Sequence, residues 1–441
     1  MQKSLGSHAV VLGAGMAGLA AAQVLSNHFS RVTVLERDRL PDEPLPRSGT
    51  PQAPHAHALL AGGLQALQSL FANFENDLVN AGAVRTRAGK DIRLERPGFD
   101  PFPSRDLGFD TFFMSRPLLE AVTRRRVREN PKIEIQARRR ATEIVASPDK
   151  LRVEAVRCDR EDGGADTIDA DFVVEATGRG GLTLQLLVRL GLEKPEETEI
   201  EIDQAYSTII VERPQNQDTP WAGVMVLPSA PASSRGGFLF PIEKQRCILS
   251  IGGNHGDAPP GDQEGFLDFV KSFRTSTIYD AVKDARPTAD IVRFRLPASS
   301  RRHFERLESF PAGLLVMGDA VCRFNPVFGQ GMSVAAREAV VLAHLLQDDV
   351  PMHRLAKEFF AAIQPTIEAP WGVAQTDFVY PATRGIRPAD FGQRIQYNVA
   401  LTKLAAQDAE VHKLVAEVSQ LLKPQSALRE PALATRVMSL M

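Results

Sequence analysis

The chain opens on apolar runs separated by glycine turns. His8-Ala9-Val10-Val11-Leu12 is apolar and β-branched with no polar alternation, the pattern of a strand covered on both faces. It ends in Gly13-Ala14-Gly15-Met16-Ala17-Gly18, and the Ala-rich stretch 19–25 predicts a helix. A second strand is predicted at 31–35, closing on Glu36. The same texture returns near the other end. Residues 313–317 read as a buried strand, Gly318-Asp319-Ala320 stops it, and after Pro326-Val327-Phe328-Gly329-Gln330-Gly331-Met332 an Ala/Val/Leu-rich helix extends to about 346. Asp171-Phe172-Val173-Val174-Glu175 predicts a further strand. Between about 198 and 296 the pattern shifts to short alternating runs at 206–212, 221–227, 237–241 and 247–253, broken by Pro, Asn, Asp and Gly, which predicts an antiparallel sheet. Beyond 346 the chain reads as mostly helical, and 395–422 has the spacing of one or two amphipathic helices packed on the body.

Composition narrows the classes. The 441 residues are 43% apolar and 24% charged, enough to fill a sizeable core. A net charge of −2 removes the basic excess expected of a nucleic-acid binder, and the clusters Arg124-Arg125-Arg126 and Arg138-Arg139-Arg140 read as solvated faces. Cys158, Cys247 and Cys322 lie far apart, which argues against a disulfide framework or a zinc site and fits a reducing, cytoplasmic setting. The small-apolar run 9–25 holds three glycines and is shorter than the ~20 residues a membrane span needs, so neither a signal peptide nor a transmembrane anchor is read.

The glycines carry the first chemistry. Strand, GxGxxG turn, helix, strand and terminal acid form the unit of a dinucleotide site: Gly13 for the tight turn, Gly15 for close approach of a pyrophosphate, Gly18 for helix–strand packing. Glu36 would accept from ribose hydroxyls, and Arg37 beside it reads equally as flanking an adenine or as a surface residue. FAD and NAD share this unit, so these residues do not choose between them. His55 and His57 have no third ligand at suitable spacing, which leaves no metal site, and no GxSxG nucleophile elbow exists.

The segment from Gly318 to Ser333 resembles the GDA…P…GQG stretch of group A flavoprotein monooxygenases, the p-hydroxybenzoate-hydroxylase-like family. The resemblance implies FAD, with Asp319 accepting from the ribityl chain. Pro326 and Gly329 would run past the isoalloxazine, and backbone amides at Gly331 and Met332 would face its pyrimidine edge. It adds Met16 and Ala17 at the first helix start, and Arg116 of Met114-Ser115-Arg116-Pro117 near the phosphate–ribityl region. Two departures concern the nicotinamide contacts: Thr177-Gly178-Arg179 replaces an Asp-Gly pair, and Cys322-Arg323 replaces a histidine. The segment 47–60 and the run from Pro370-Trp371 through Asp377 to Tyr380-Pro381 are similar to a polyether- and squalene-epoxidase-like branch.

The expected architecture is therefore α/β (α+β overall): a Rossmann-like three-layer FAD-binding domain (1–197 and 297–346), an inserted antiparallel-sheet substrate domain (198–296), and a C-terminal helical region (347–441). Phe238, Phe240 and Trp221 read first as sheet core, with lining of the cavity as the alternative. The expected function is an FAD-dependent monooxygenase using transient NAD(P)H and O2, acting on an apolar aromatic or polyene substrate through a C4a-hydroperoxyflavin, with no catalytic side chain assigned. The alternatives are an FAD-dependent reductase of isoprenoid double bonds, or a non-catalytic flavin-binding protein. A halogenase is disfavoured because Trp221 and Trp371 cannot form a WxWxIP signature. Nothing in the pattern sets an oligomeric state.

Overall fold

The computed structural model describes residues 5–213 and 219–441. Its centre is a five-stranded parallel sheet in the order Leu314–Val316, Phe172–Glu175, β1 (Gly6–Leu12), β2 (Phe29–Glu36), Ile133–Ala137. β1 shows why the run at its start lacks polar alternation. Ala9 and Val11 pack toward the helix layer with Leu19 of α1 (Met16–Leu25), whereas Val10 and Leu12 pack on the opposite face with Ile144, Val156 and Val173. That opposite face is closed by a three-stranded antiparallel sheet (Arg140–Ala146, Val153–Asp159, Ala165–Asp169), which completes the three layers. This sheet lies outside the predicted elements.

The second body is an eight-stranded sheet, here called the roof. Its path runs Cys322–Arg323, Val292–Arg302, Glu197–Glu212, Arg246–Gly253, Gly236–Ile242, Gly223–Val226, Ile92–Glu95, with Arg384–Gly385 pairing the Glu197–Glu212 strand. All but one of these pairings are antiparallel; Ile92–Glu95 joins in parallel from outside the predicted stretch. The long strands also run across both boundaries expected for this region, since 198 falls within Glu197–Glu212 and 296 within Val292–Arg302.

Strand periodicity divides the roof's two faces. Ile209, Val211, Leu239, Leu249 and Ile251 pack with Phe266, Phe269 and Ile278 of the helices Gln263–Lys271 and Thr277–Val282. Phe240, Ile242 and Ile248 point the other way, joined by Phe113, Phe238 and Ala56. Trp221 packs on the helix side. It therefore belongs to the sheet core and is removed from the cavity candidates, whereas Phe238 and Phe240 face away from the helices.

The late helices divide similarly. Phe359, Phe360, Ile363, Ile367 and Trp371 join the main core. The predicted stretch 395–422 is two helices, Phe391–Gln407 and Ala409–Ser419, separated at Asp408, whose carboxylate accepts from Glu410 N and Val411 N at 2.9 and 3.1 Å. Of the arginine clusters, Arg126, Arg138 and Arg139 meet carboxylates at the surface. Arg124 departs from the solvated reading: it is buried and donates to the Pro41 carbonyl.

One buried acid fixes the second turn. Glu338, on the helix Gly331–Gln347, is fully buried and accepts from Gly318 N at 2.7 Å. Its Oε1 has no hydrogen-bond partner among the described residues. Burial, with a further contribution from Asp319, pushes this carboxyl up to about 8 from an ordinary 4.5. The folded state thus holds a proton that the unfolded chain releases. The stability this provides is complete below pH 4.5 and is lost as pH rises through about 8, at a rate of at most about 1.4 kcal/mol per pH unit. Glu338→Gln keeps the acceptor and cannot ionise. Urea unfolding at pH 5 and pH 8.5 is expected to show the variant gaining on the wild type as pH rises; parallel pH dependence of the two proteins would refute the assignment.

Candidate cofactor site and adjoining chamber

The first turn is built by close approach. Gly13 has φ +100°, and a methyl group there would sit 2.7 Å from the Ala176 carbonyl oxygen. A methyl at Gly18 would fall on the Gly13 carbonyl itself. Gly15 is different. It caps α1 with extended backbone and no side-chain cap, and the nearest atom to its missing methyl is Arg47 Nη2 at 4.0 Å. The helix start therefore opens onto unfilled space. Met16 is buried and Ala17 packs against the second turn, so both would meet a cofactor only through their backbone.

The Gly318-Asp319-Ala320 turn closes on the first. Gly318 has φ +68°, and a methyl there would lie 2.8 Å from Ala17 Cβ. Asp319 accepts no hydrogen bond among the described residues. Burial raises its carboxyl while Arg116 and Arg323 pull it back. A methyl at Gly331 would lie 3.5 Å from Asp319 Oδ1 and one at Gly178 3.9 Å from its Cβ, so glycines frame this acid on two sides. Gly329, at φ +66°, backs onto Ala58, and Pro326 opens the short turn Pro326–Phe328. Met332 is core, leaving its amide for any ligand contact.

Arg116 starts the helix Arg116–Arg128, capped by Ser115, whose hydroxyl accepts from Leu118 N at 3.3 Å. Buried Glu243 of the roof accepts from Ser115 N and Oγ at 3.0 and 2.7 Å, which fixes that helix start against the sheet.

Arg47 belongs to neither glycine motif. It is buried and meets three carboxylates: Glu36 at 3.1 Å, Asp38 at 3.0 Å and Glu120 at 3.2 Å. Glu120 also pairs with Arg116 at 2.8 Å. Burial alone would raise the Glu120 carboxyl, yet Arg116 and Arg47 hold it below the ordinary range. Glu36 accepts from Ala14 N at 2.8 Å and Asp38 N at 3.0 Å, so the strand-end acid locks the glycine turn. A carboxylate has about four lone-pair sites, which leaves capacity for ribose hydroxyls. Arg37 lies outside this group: its side chain is 56% exposed and reaches Asp38 only at 3.9 Å.

These observations fit FAD. The glycine turns suit a backbone-hugging phosphate, Asp319 is an acceptor with no protein donor among the described residues, and Arg116 and Arg323 lower it electrostatically.

The segment 54–60 bridges this cradle and the roof. His55 Nδ1 contacts Thr208 Oγ1 at 2.7 Å, Thr208 contacts Ser250 Oγ at 2.6 Å, and Ser250 Oγ accepts from Ala56 N at 2.8 Å. The His55 ring lies 6.0 Å from Tyr206 and 5.7 Å from Phe294 between centroids. Burial pushes His55 down to about 4, and burial with Arg116 pushes His57 down to about 3, so both are neutral near pH 7. His57 Nδ1–H donates to the His55 carbonyl at 2.9 Å. Among the described residues no three His, Cys, Asp or Glu gather as a metal site, and no helix is long and apolar enough to cross a membrane.

Arg47 and Arg37 give a contrasting pair. Arg47→Met strands three buried carboxylates and is expected to cost about 3–5 kcal/mol and to weaken FAD binding, whereas Arg37→Ala should stay within about 0.5 kcal/mol. Thermal unfolding and FAD titration of both variants check this; equal behaviour would show that the Arg47 cluster does not support the site.

The sequence profile of the FAD binding domain family matches residues 7–350. Protein Rv3254 of Mycobacterium tuberculosis (strain ATCC 25618 / H37Rv) is 34% identical over 348 residues, covering 77% of this chain and 73% of that protein. Among solved structures, the flavin-dependent brominase Bmp2 triple mutant superposes with a TM-score of 0.66 at 15% identity, covering 98% of each chain. The p-nitrophenol 4-monooxygenase PnpA from Pseudomonas putida DLL-E4 superposes with a TM-score of 0.64 at 16% identity, covering 96% of this chain and 100% of that one. With a cradle that fits FAD and a family match across most of its length, the chain belongs to the FAD-binding-domain flavoproteins and is an FAD-dependent oxidoreductase.

Proposed function

We propose that the protein is a monooxygenase that uses NAD(P)H and O2 to hydroxylate or epoxidise an apolar small molecule. One observation carries the reading: the roof face turned away from the sheet's own helices is largely aromatic and aliphatic, and on it Thr208 and Ser250 hydrogen-bond to each other and to neutral His55 and the Ala56 amide. Phe113 and Phe240 stand 4.5 Å apart between centroids and Phe238 and Phe240 5.7 Å, beside the His55–Thr208–Ser250 chain. Such a wall suits an apolar substrate and the exclusion of water.

When bound, FAD would supply the redox chemistry, taking electrons from a nicotinamide and activating dioxygen. The chain's own part is to bind, orient and shield. Glu36 and Arg47 hold the first turn. Asp319, the amides at Gly331 and Met332, and Arg116 would receive the cofactor's polar chain, and Phe238 and Phe240 would define the space above it. On this reading 1–197 and 297–346 form the cofactor domain, the antiparallel roof strands form the substrate domain, and 347–441 forms a helical buttress, in a protein working in the cytoplasm. The similarity of 47–60 and 370–381 to epoxidases favours alkene or aromatic oxygenation.

The reductase alternative uses the same cradle but incorporates no oxygen. Halogenation would need a halide in the product, and the similarity to a brominase is one of fold. The test supplies the flavin-loaded protein with NAD(P)H, 18O2 and a panel of phenols and linear polyenes, and reads products by mass. One 18O atom per product is expected. Two added hydrogens without label would favour the reductase; failure of every substrate to stimulate NAD(P)H consumption would favour a non-catalytic flavoprotein. Asp319→Ala and Gly15→Val should each purify with little flavin, by losing an acceptor and by filling the phosphate space, and full yellow colour in both would overturn the cofactor assignment.

A further inference from the structure

Three segments far apart in the chain meet at one buried amide. Asn325 is 1% exposed and precedes the turn Pro326–Phe328. Its Oδ1 accepts from Val327 N at 3.2 Å, which caps that turn. The same oxygen accepts from Tyr206 Oη at 2.8 Å, on the roof strand Glu197–Glu212. Its Nδ2 donates to Asp377 Oδ2 at 3.1 Å, in the one-turn segment Gln375–Val379 of the C-terminal region. Burial keeps the Tyr206 phenol protonated, so it donates. Asp377 is itself anchored, because its carbonyl accepts from Thr383 Oγ1 at 2.8 Å and Tyr380 N at 3.1 Å. The donors and acceptors are matched, so the amide has one orientation: turned by 180° it would set its NH2 against the Val327 N–H and leave the phenol without an acceptor.

We propose that Asn325 is a positioning residue that ties the Pro326–Gly329 turn to the roof through Tyr206 and to the C-terminal region through Asp377, so that the turn along the flavin and the wall of the substrate chamber are held as one unit. This rests on the reading that the turn runs past the flavin. The chemistry favours such a device over plain packing. The turn is half-buried and ends in glycine at positive φ; Phe328 packs on the main core and Gly329 backs onto Ala58, apolar contacts that set no direction. Directional bonds from two neighbouring bodies supply what packing does not. Asn325 touches neither substrate nor reacting atoms in this account; it acts through the turn.

The test uses the full-length protein, stripped of flavin and titrated with FAD, with two readouts: the dissociation constant, and the band shape and reduction potential of the bound flavin. Tyr206→Phe and Asp377→Ala are each expected to weaken FAD about three- to tenfold and to alter the flavin band. The double variant should be no worse than the weaker single, because both act through one amide. Asp377→Asn keeps an acceptor oxygen and should restore binding and spectrum. Asn325→Ala should match the double variant; should it fail to fold, Tyr206→Phe, which removes a single oxygen, decides. Wild-type affinity, band shape and potential in both single variants would overturn the proposal, as would purely additive losses that Asp377→Asn does not rescue. If the wild type itself bound no FAD, the cofactor reading would fall, a result distinct from wild-type binding with unaffected variants.

Discussion

The site depends on how closely two strand-turn-helix units, some 300 residues apart in sequence, can approach. The parallel sheet sets them side by side: Leu314–Val316 pairs with Phe172–Glu175, which pairs with β1, so all three strands end at the same edge. Gly318 then rests on Ala17, leaving no room for a side chain between them. Every polar group of the cradle is placed relative to that contact. Asp319 follows Gly318 directly, α1 begins two residues before Gly18, and the helix Gly331–Gln347 reaches back through Glu338 to hold the Gly318 amide.

Burying this much charge needs balance. Arg47 and Arg116 stand among Glu36, Asp38 and Glu120, and each would be costly to bury alone. Hydrogen bonds to backbone amides reduce that cost further, since Glu36 serves Ala14 and Asp38 while it pairs with Arg47. The cluster thus fixes the geometry of the glycine turn and sets a positive group beside the opening over Gly15. Asp319 is treated differently, with no direct partner among the described residues and two arginines acting on it at longer range. The cradle combines a rigid charged base with an acceptor left free.

Legibility in the sequence followed locality. The predicted bounds of β1, α1, β2 and the late strand-turn-helix unit lie within a few residues of those observed, because a two-faced burial pattern and a required glycine both leave marks in consecutive residues. Arg47 left none: one arginine in a proline-rich loop has no period, and its meaning lies in Glu36, Asp38 and Glu120, which only folding brings near. The Arg140–Asp169 sheet is hidden in the sequence because its strands carry charge on their outer face, as in Arg140-Ala141-Thr142-Glu143. Ile92–Glu95 was missed for another reason, since a four-residue strand pairing in parallel with a partner about 130 residues later carries no turn signal. Trp221 shows the limit of residue type: it lies just before the strand Gly223–Val226 and packs on the helix side, a placement its aromatic character does not specify.

The two-sided roof also separates what a lineage must keep from what it is free to vary. Positions 209, 211, 239, 249 and 251 anchor the sheet to its helices, and substitutions there are removed by loss of folding. Their immediate neighbours, 210, 238, 240 and 248, look onto the other side. Because adjacent residues answer to different constraints, a population can vary the face away from the helices one position at a time while the scaffold stays intact. Related proteins of this architecture can then diverge in what they act on while keeping the same cofactor cradle, and the variation that distinguishes them is expected to fall on every second residue of these strands.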